Sequence, residues 1–248
     1  RTTKLGTFVG GFQAFADSFA EKLFEMGVEI KLNARIMSIK RNHTKKVIVT
    51  GEDGAEGYDK VLVTTSPAVM SYLTPDLPED YLGALKNLKH MGAVVLVAAL
   101  KHQLSEKGYY WFNLPKNEGY PFLALVEHTN YVSAEHFGGE HILYCGDYLE
   151  NDHEYFDLSE AELLERFMPA LERINPKFQR EWILKTWLNR TKYAQPVPEV
   201  HHSKNIPNIE TPVEGLYFAS MSQVYPWDRG TNFAVEIGRR AAQLMMSF

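Results

Sequence analysis

The chain has 248 residues, 45% hydrophobic, 12% aromatic and 23% charged, an ordinary globular composition with length for one large or two modest cores. Its formal net charge of −5 argues against a general nucleic-acid binder, which needs a basic face to displace counterions from phosphate. No apolar run reaches the length of a membrane span, and no secretory leader pattern opens the chain. The lone Cys145 rules out a disulfide framework and a thiolate metal cluster, and fits a reducing, cytoplasmic setting. Within ILYCGDY it reads as a buried strand thiol rather than a nucleophile. The chain begins at Arg1 rather than methionine and enters a helical pattern almost at once, so a piece of a longer protein is expected.

In chain order, Gly10 and Gly11 precede FQAFADSFAEKLFEMG. There Phe12, Phe15, Ala16, Phe19, Leu23 and Met26 keep the helical i, i+3, i+4 rhythm, and Gly27 is a fitting stop. VEIKLNARIMSIKR alternates as a strand does, with a bend at Asn33 and Ala34. KKVIVT and YDKVLVTTSP are two more strands, joined across the turn-rich GEDGAEG. The compact Val61-Leu62-Val63 run has the character of a buried strand.

After Pro67 comes a short helix in PDLPEDYLGALKNLKHMG, then the apolar strand AVVLVAAL. YYWFNLP, PFLALVEHT and HILYCGDYL follow as aromatic-rich strands, which predicts an antiparallel sheet. LSEAELLERFMPALERI is an amphipathic helix with a capping box of Ser159 and Glu162. REWILKTWLNRT is one more strand, and a proline-rich stretch leads to GLYFASMSQVYPWDRGTNFAVEIGRRAAQLMM. That last segment is a strand, a polar loop and a helix carrying Ala234, Gly238, Ala241 and Ala242, with Thr231 and Asn232 as N-cap types. Such an arrangement gathers backbone N–H groups and the positive end of a helix dipole, and favours an anion or an electron-rich group. The outer segments alternate helix and strand around a central sheet, so two nested lobes are expected.

This order of motifs, GGFQAFADSFAEKLFEMGVEIKLNARIMSIKR, YDKVLVTTSP and GLYFASMSQ…DRGTNFAVEIGRRAA, resembles the flavin-containing amine oxidase superfamily, including protoporphyrinogen oxidases, phytoene desaturases and, more distantly, UDP-galactopyranose mutases. The resemblance covers nearly the whole chain and implies an α/β to α+β fold. Residues 1–66 and 200–248 would form a partial, Rossmann-related FAD-binding lobe, and residues 67–199 an inserted substrate lobe on a mixed, largely antiparallel sheet. It places the backbone of Ile36 against the adenine and Thr65 and Ser66 on the adenosine side. Gly230, Thr231, Asn232, Phe233 and Ala234 would start the helix beneath the flavin, after a loop with Asp228 and Arg229. Two departures stand out. No GxGxxG fingerprint occurs in the chain, so a nucleotide-binding segment is a missing partner and FAD binding by this chain alone is expected to be weak or absent. Relatives have glycine and an acidic residue where this chain has Ser220 and Met221, so Gln223 or Asp228 would replace the lost acceptor.

Trp187, Tyr193, Tyr225 and Trp227, with Gln195, are candidate substrate-lining residues if the central sheet faces the terminal motif, as the resemblance implies. The plainer alternative is that they are core or lobe-interface aromatics. No residue pair reads as a general acid and base, and the histidines lack zinc-site spacing. The resemblance implies hydride transfer from a small or lipophilic organic substrate to flavin. Alternatives are a mutase-like flavoenzyme acting on a nucleotide sugar, with Arg190 and Arg229 as diphosphate ligands, and a catalytically silent binding or interaction domain.

Overall fold

The computed structural model describes residues 6–228 and 230–247. The first helix, α1 (Gly11–Glu25), ends before Gly27, whose φ of +82° turns the chain at no steric cost. Its aromatic stripe lies open: Phe12, Phe19 and Phe24 are exposed, and no α1 residue is buried.

Strands β1 (Ile36–Arg41), β2 (Val47–Gly51) and β3 (Gly54–Tyr58) form an antiparallel meander. β1 is shorter than the alternation over residues 28–41 suggests, because Asn33 sits at φ +56° and breaks the extended run. The expected GEDGAEG turn is mostly strand: Gly51 pairs with Gly54 around a two-residue turn, and β3 continues to Tyr58. Every β3 residue is exposed, so this edge strand carries no hydrophobic alternation to announce it.

β4 (Val61–Val63) leads into α2 (Pro67–Leu73) and α3 (Glu79–Lys86). Ser66 caps α2 by accepting the Val69 N–H at 3.3 Å, and Pro67 opens its first turn. Met70, Leu73, Leu77 and Leu85 pack with Ile39, Val47, Val63, Leu216 and Phe218 in one core. Residues 67–86, expected in the inserted lobe, therefore share the core of the outer segments. The reason is local: only three residues separate β4 from α2, which holds that helix against the strands it follows.

The central part of the chain forms a five-stranded antiparallel sheet. It comprises β5 (His90–Leu100), β6 (Trp111–Asn113), β7 (Ala124–Glu127), β8 (His141–Leu149) and β9 (Ile183–Pro196), in the order β6-β7-β8-β5-β9. α4 (Glu160–Ile174) covers one face, where Leu163, Phe167 and Leu171 meet Val94, Leu96, Leu143 and Cys145. Burial pushes the Cys145 thiol pKa up, in keeping with an inert core thiol. Gly92 faces a bulge in the β5–β9 ladder, and a Cβ there would meet the Thr191 carbonyl oxygen at 2.8 Å.

The short α5 (His202–Asn205) precedes β10 (Leu216–Phe218), which runs parallel to β4. The pleat of β10 splits its side chains between two cores. Leu216 and Phe218 enter the first, while Tyr217 packs on Ile237 and Ala241 of α6 (Thr231–Met246). Ala241 is buried as its size suggests, whereas Gly238 faces open space. The chain enters and leaves the five-stranded sheet side by side, where His90 pairs with Pro196 and the Val197 N–H donates to the Lys89 carbonyl at 2.9 Å.

Candidate functional site

The carboxyl ends of the parallel pair lie side by side, with Phe218 opposite Val63 and the Ala219 N–H donating to the Val63 carbonyl at 3.0 Å. Thr65 and Ser66 thus leave the sheet at the same edge as Ser220 and Met221. Ligands in open α/β sheets bind beyond such an edge. The Ser66 hydroxyl is engaged in capping α2, and the Thr65 hydroxyl donates to the Ser66 carbonyl at 3.3 Å. Ile36, at the start of β1, pairs with Gly51 and packs its side chain on the first core.

Beyond β10 the chain makes a tight turn at Met221–Gln223. Gln223 is used up inside it. Its Oε1 accepts the Ser220 N–H at 2.6 Å, and its Nε2 donates to the carbonyls of Phe218 and Pro207 at 3.0 and 3.1 Å. The Gln223 N–H donates to the Ser220 carbonyl at 3.0 Å and also faces the Ser220 side chain, with which Gln223 forms a capping box. The Ser220 hydroxyl is buried, and apart from this capping contact it reaches no partner at full hydrogen-bond geometry among the described residues. A buried polar group of this kind calls for an explanation, and an acceptor or donor on a ligand is one.

The α6 helix begins one residue earlier than its N-cap types suggest. Gly230 is the cap, and its carbonyl accepts the amides of Phe233 and Ala234, each at 3.0 Å. Thr231 and Asn232 are the first helical residues, both exposed. The first turn of a helix presents amides without intrahelical acceptors, together with the positive end of its dipole. Trp227 stacks on Phe233 at 6.1 Å, tying the loop to that turn, and Asp228 is exposed in the same loop. Arg229 lies outside the described residues.

Tyr193 joins this edge to the second lobe. Its hydroxyl meets the buried Ser222 hydroxyl at 2.5 Å, and its ring contacts His90 edge-on at 5.0 Å. Gln195, nearby on β9, pairs with Met91, and its Oε1 is buried without a partner among the described residues. Tyr225 is half-exposed beside His202. Trp187 lies opposite Val97 on the sheet face that α4 leaves open.

That open face forms a groove of about 480 Å³ lined by Val95, Tyr110, Trp111, Val126, Tyr144 and Tyr148, with Phe12 of α1 at its margin. His128 lines it too, near Phe137 and Tyr144, and burial lowers its pKa. Tyr144 and Tyr148, four residues apart on one strand, share a face by simple alternation, a signal present in HILYCGDYL. Arg190 is turned away: it pairs with Val94, a core residue on the α4 side, and its Nε donates to the Tyr155 carbonyl at 3.1 Å.

Residues 2–246 match the sequence profile of the family described as flavin containing amine oxidoreductase. The chain belongs to that family. The flavin amine oxidoreductase fold is equally clear among solved structures. A protein assigned as a protoporphyrinogen oxidase from Exiguobacterium sp. 255-15 matches at a TM-score of 0.72 and 18% identity, over 94% of this chain and 51% of its own. Putrescine oxidase bound to putrescine matches at 0.67 and 17%, over 96% and 53%. Reduced UDP-galactopyranose mutase matches at 0.68 and 16%, over 84% and 45%. The chain thus spans about half the length of these structures. No curated protein matches it.

Proposed function

We propose that this chain forms the flavin-facing and substrate-binding portion of an FAD-dependent oxidoreductase that removes a hydride from a C–H or C–N bond of a small or lipophilic organic substrate. The observation that carries the reading is the buried Ser220 hydroxyl at the carboxyl end of β10, which beyond its capping contact has no hydrogen-bond partner among the described residues and is followed by the loop that opens α6. These residues fit a flavin ring edge. Ser220 would offer a hydrogen bond, and the first turn of α6 would favour negative charge there. When bound, the flavin supplies the two-electron acceptor, and the protein supplies binding, orientation and electrostatics. Tyr193, through Ser222, holds the sheet lobe against the cofactor edge. The aromatic groove would orient the substrate and exclude water. Trp187, Tyr225 and Trp227 are proposed as its outer wall.

The chain carries no GxGxxG sequence, so the pyrophosphate end of the cofactor would be held by a separate nucleotide-binding segment. The mutase-like alternative needs cations to hold a diphosphate, and the placement of Arg190 on the α4 face favours the oxidoreductase reading over it. Replacement of Thr231 by Glu tests the cofactor site. A carboxylate at a helix start stabilises the helix but repels an electron-rich ring edge. In the full-length protein, Thr231→Glu should leave thermal stability unchanged while FAD affinity drops about tenfold or more. Unchanged FAD affinity would remove the first turn of α6 from the site.

A further inference from the structure

Apart from Asp147, the described residues that line the groove are apolar, aromatic or neutral. Val95, Val126 and Leu123 form its floor and wall, and Tyr110, Trp111 and Tyr144 give it flat faces. Asp147 is the one carboxylate residue that lines the groove, Glu127 follows the lining residue Val126, and both side chains are directed elsewhere. Asp147 pairs with Val94, a residue of the α4-side core, and its carboxylate meets Lys116 at 2.9 Å. Glu127 is fully buried and accepts the amides of Leu104 and Ser105 at 2.6 and 2.8 Å. The groove's remaining polar groups, Asn113 and His128 among them, are neutral hydrogen-bonding groups, since burial holds the imidazole toward its uncharged form.

From this distribution we infer that the groove takes a neutral, flat, largely apolar substrate and discriminates against one bearing an ammonium group. The inference rests on the reading of this sheet face as the substrate surface. An ammonium entering the groove gives up hydration, and the one carboxylate among the described lining residues, Asp147, is buried and already paired with Lys116. The tyrosine and tryptophan faces attract cations, but that attraction is weak where the site stays partly open to water. A volume of about 480 Å³ suits a molecule of a few fused or linked rings. With no lysine or arginine among the described lining residues, the groove also disfavours a diphosphate-bearing sugar.

A matched pair of probes tests this without flavin: naphthalen-2-ylmethanol and naphthalen-2-ylmethylamine, the latter an ammonium at pH 7, titrated calorimetrically into the full chain. The alcohol should bind about tenfold tighter than the ammonium. Asn113→Asp locates the binding, because the new carboxylate retains the acceptor for the Trp111 Nε1–H, now 2.8 Å away, and adds a charge at the groove. It should raise ammonium affinity about threefold or more and leave the alcohol unchanged. Equal or tighter ammonium binding by the unmodified protein, no binding of either probe, or indifference of both affinities to Asn113→Asp would overturn the inference. Failure of the flavin reading would show separately, as absent FAD binding by the full-length protein with the probe ratio intact.

Discussion

Tyr193 stands out in the sequence as an aromatic near the end of a strand, and its role is set by a partner 29 residues away, the buried hydroxyl of Ser222. Tyr193→Phe leaves that hydroxyl without its partner and should cost about 1–3 kcal/mol, read from the urea unfolding midpoint. Adding Ser222→Ala removes both halves and should recover most of the loss; a double variant as unstable as the single one would assign the cost to another cause. Glu127 makes the same point more sharply. It sits in the apolar run PFLALVEHT, and nothing local reveals that its carboxylate gathers two amides from residues 104 and 105 and the Asn130 side-chain amide at 2.8 Å. Glu127→Gln keeps one acceptor oxygen and turns an NH2 toward a donor, with an expected loss of about 2–3 kcal/mol. A stability change below about 0.5 kcal/mol would show that the loop at 104–105 is held by other contacts.

The α4 helix was the most legible element, because its start is written locally and its face periodically. The expected capping box is formed: the Glu162 N–H donates to the Ser159 hydroxyl at 3.2 Å, and the Glu162 carboxylate accepts the Ser159 N–H at 2.7 Å. These bonds hold the Glu162 carboxyl below the usual carboxylate range. A depressed pKa gives stability that is present above the unfolded value, about 4.3, and is lost as pH falls through the folded one. The stability gap between the unmodified protein and Ser159→Ala should therefore narrow as pH drops below about 4; a gap constant through that range would detach Glu162 from the cap. Phe167, buried at 1% exposure between Phe122 and Tyr155, should cost about 3–5 kcal/mol as Phe167→Ala in the same unfolding measurement. Other elements were less readable. β3 lacks any apolar alternation, and α2 is short, with its start signalled only by Ser66 and Pro67. The helical stripe of α1 was correctly periodic, yet its aromatics lie open, since periodicity reports a face and not what covers it.

For the molecule as a whole, the order of helix–strand unit, central sheet and terminal strand–loop–helix was enough to indicate the family, because three motifs in sequence constrain far more than one. Assembly of the candidate site was not readable in the same way. Which face of the sheet α4 covers depends on register, and a shift of one residue would exchange Tyr144 for Cys145 on the open side. Arg190 illustrates the consequence: its residue type suggested a phosphate ligand, and the pairing with Val94 turned it toward α4. The absorption spectrum of the purified full-length protein, taken after gel filtration and again after addition of FAD, addresses the flavin site most directly. The expected result is the paired near-ultraviolet and blue bands of protein-bound oxidised flavin. A colourless protein that leaves added FAD free in solution would refute the flavin site at the β10–α6 edge.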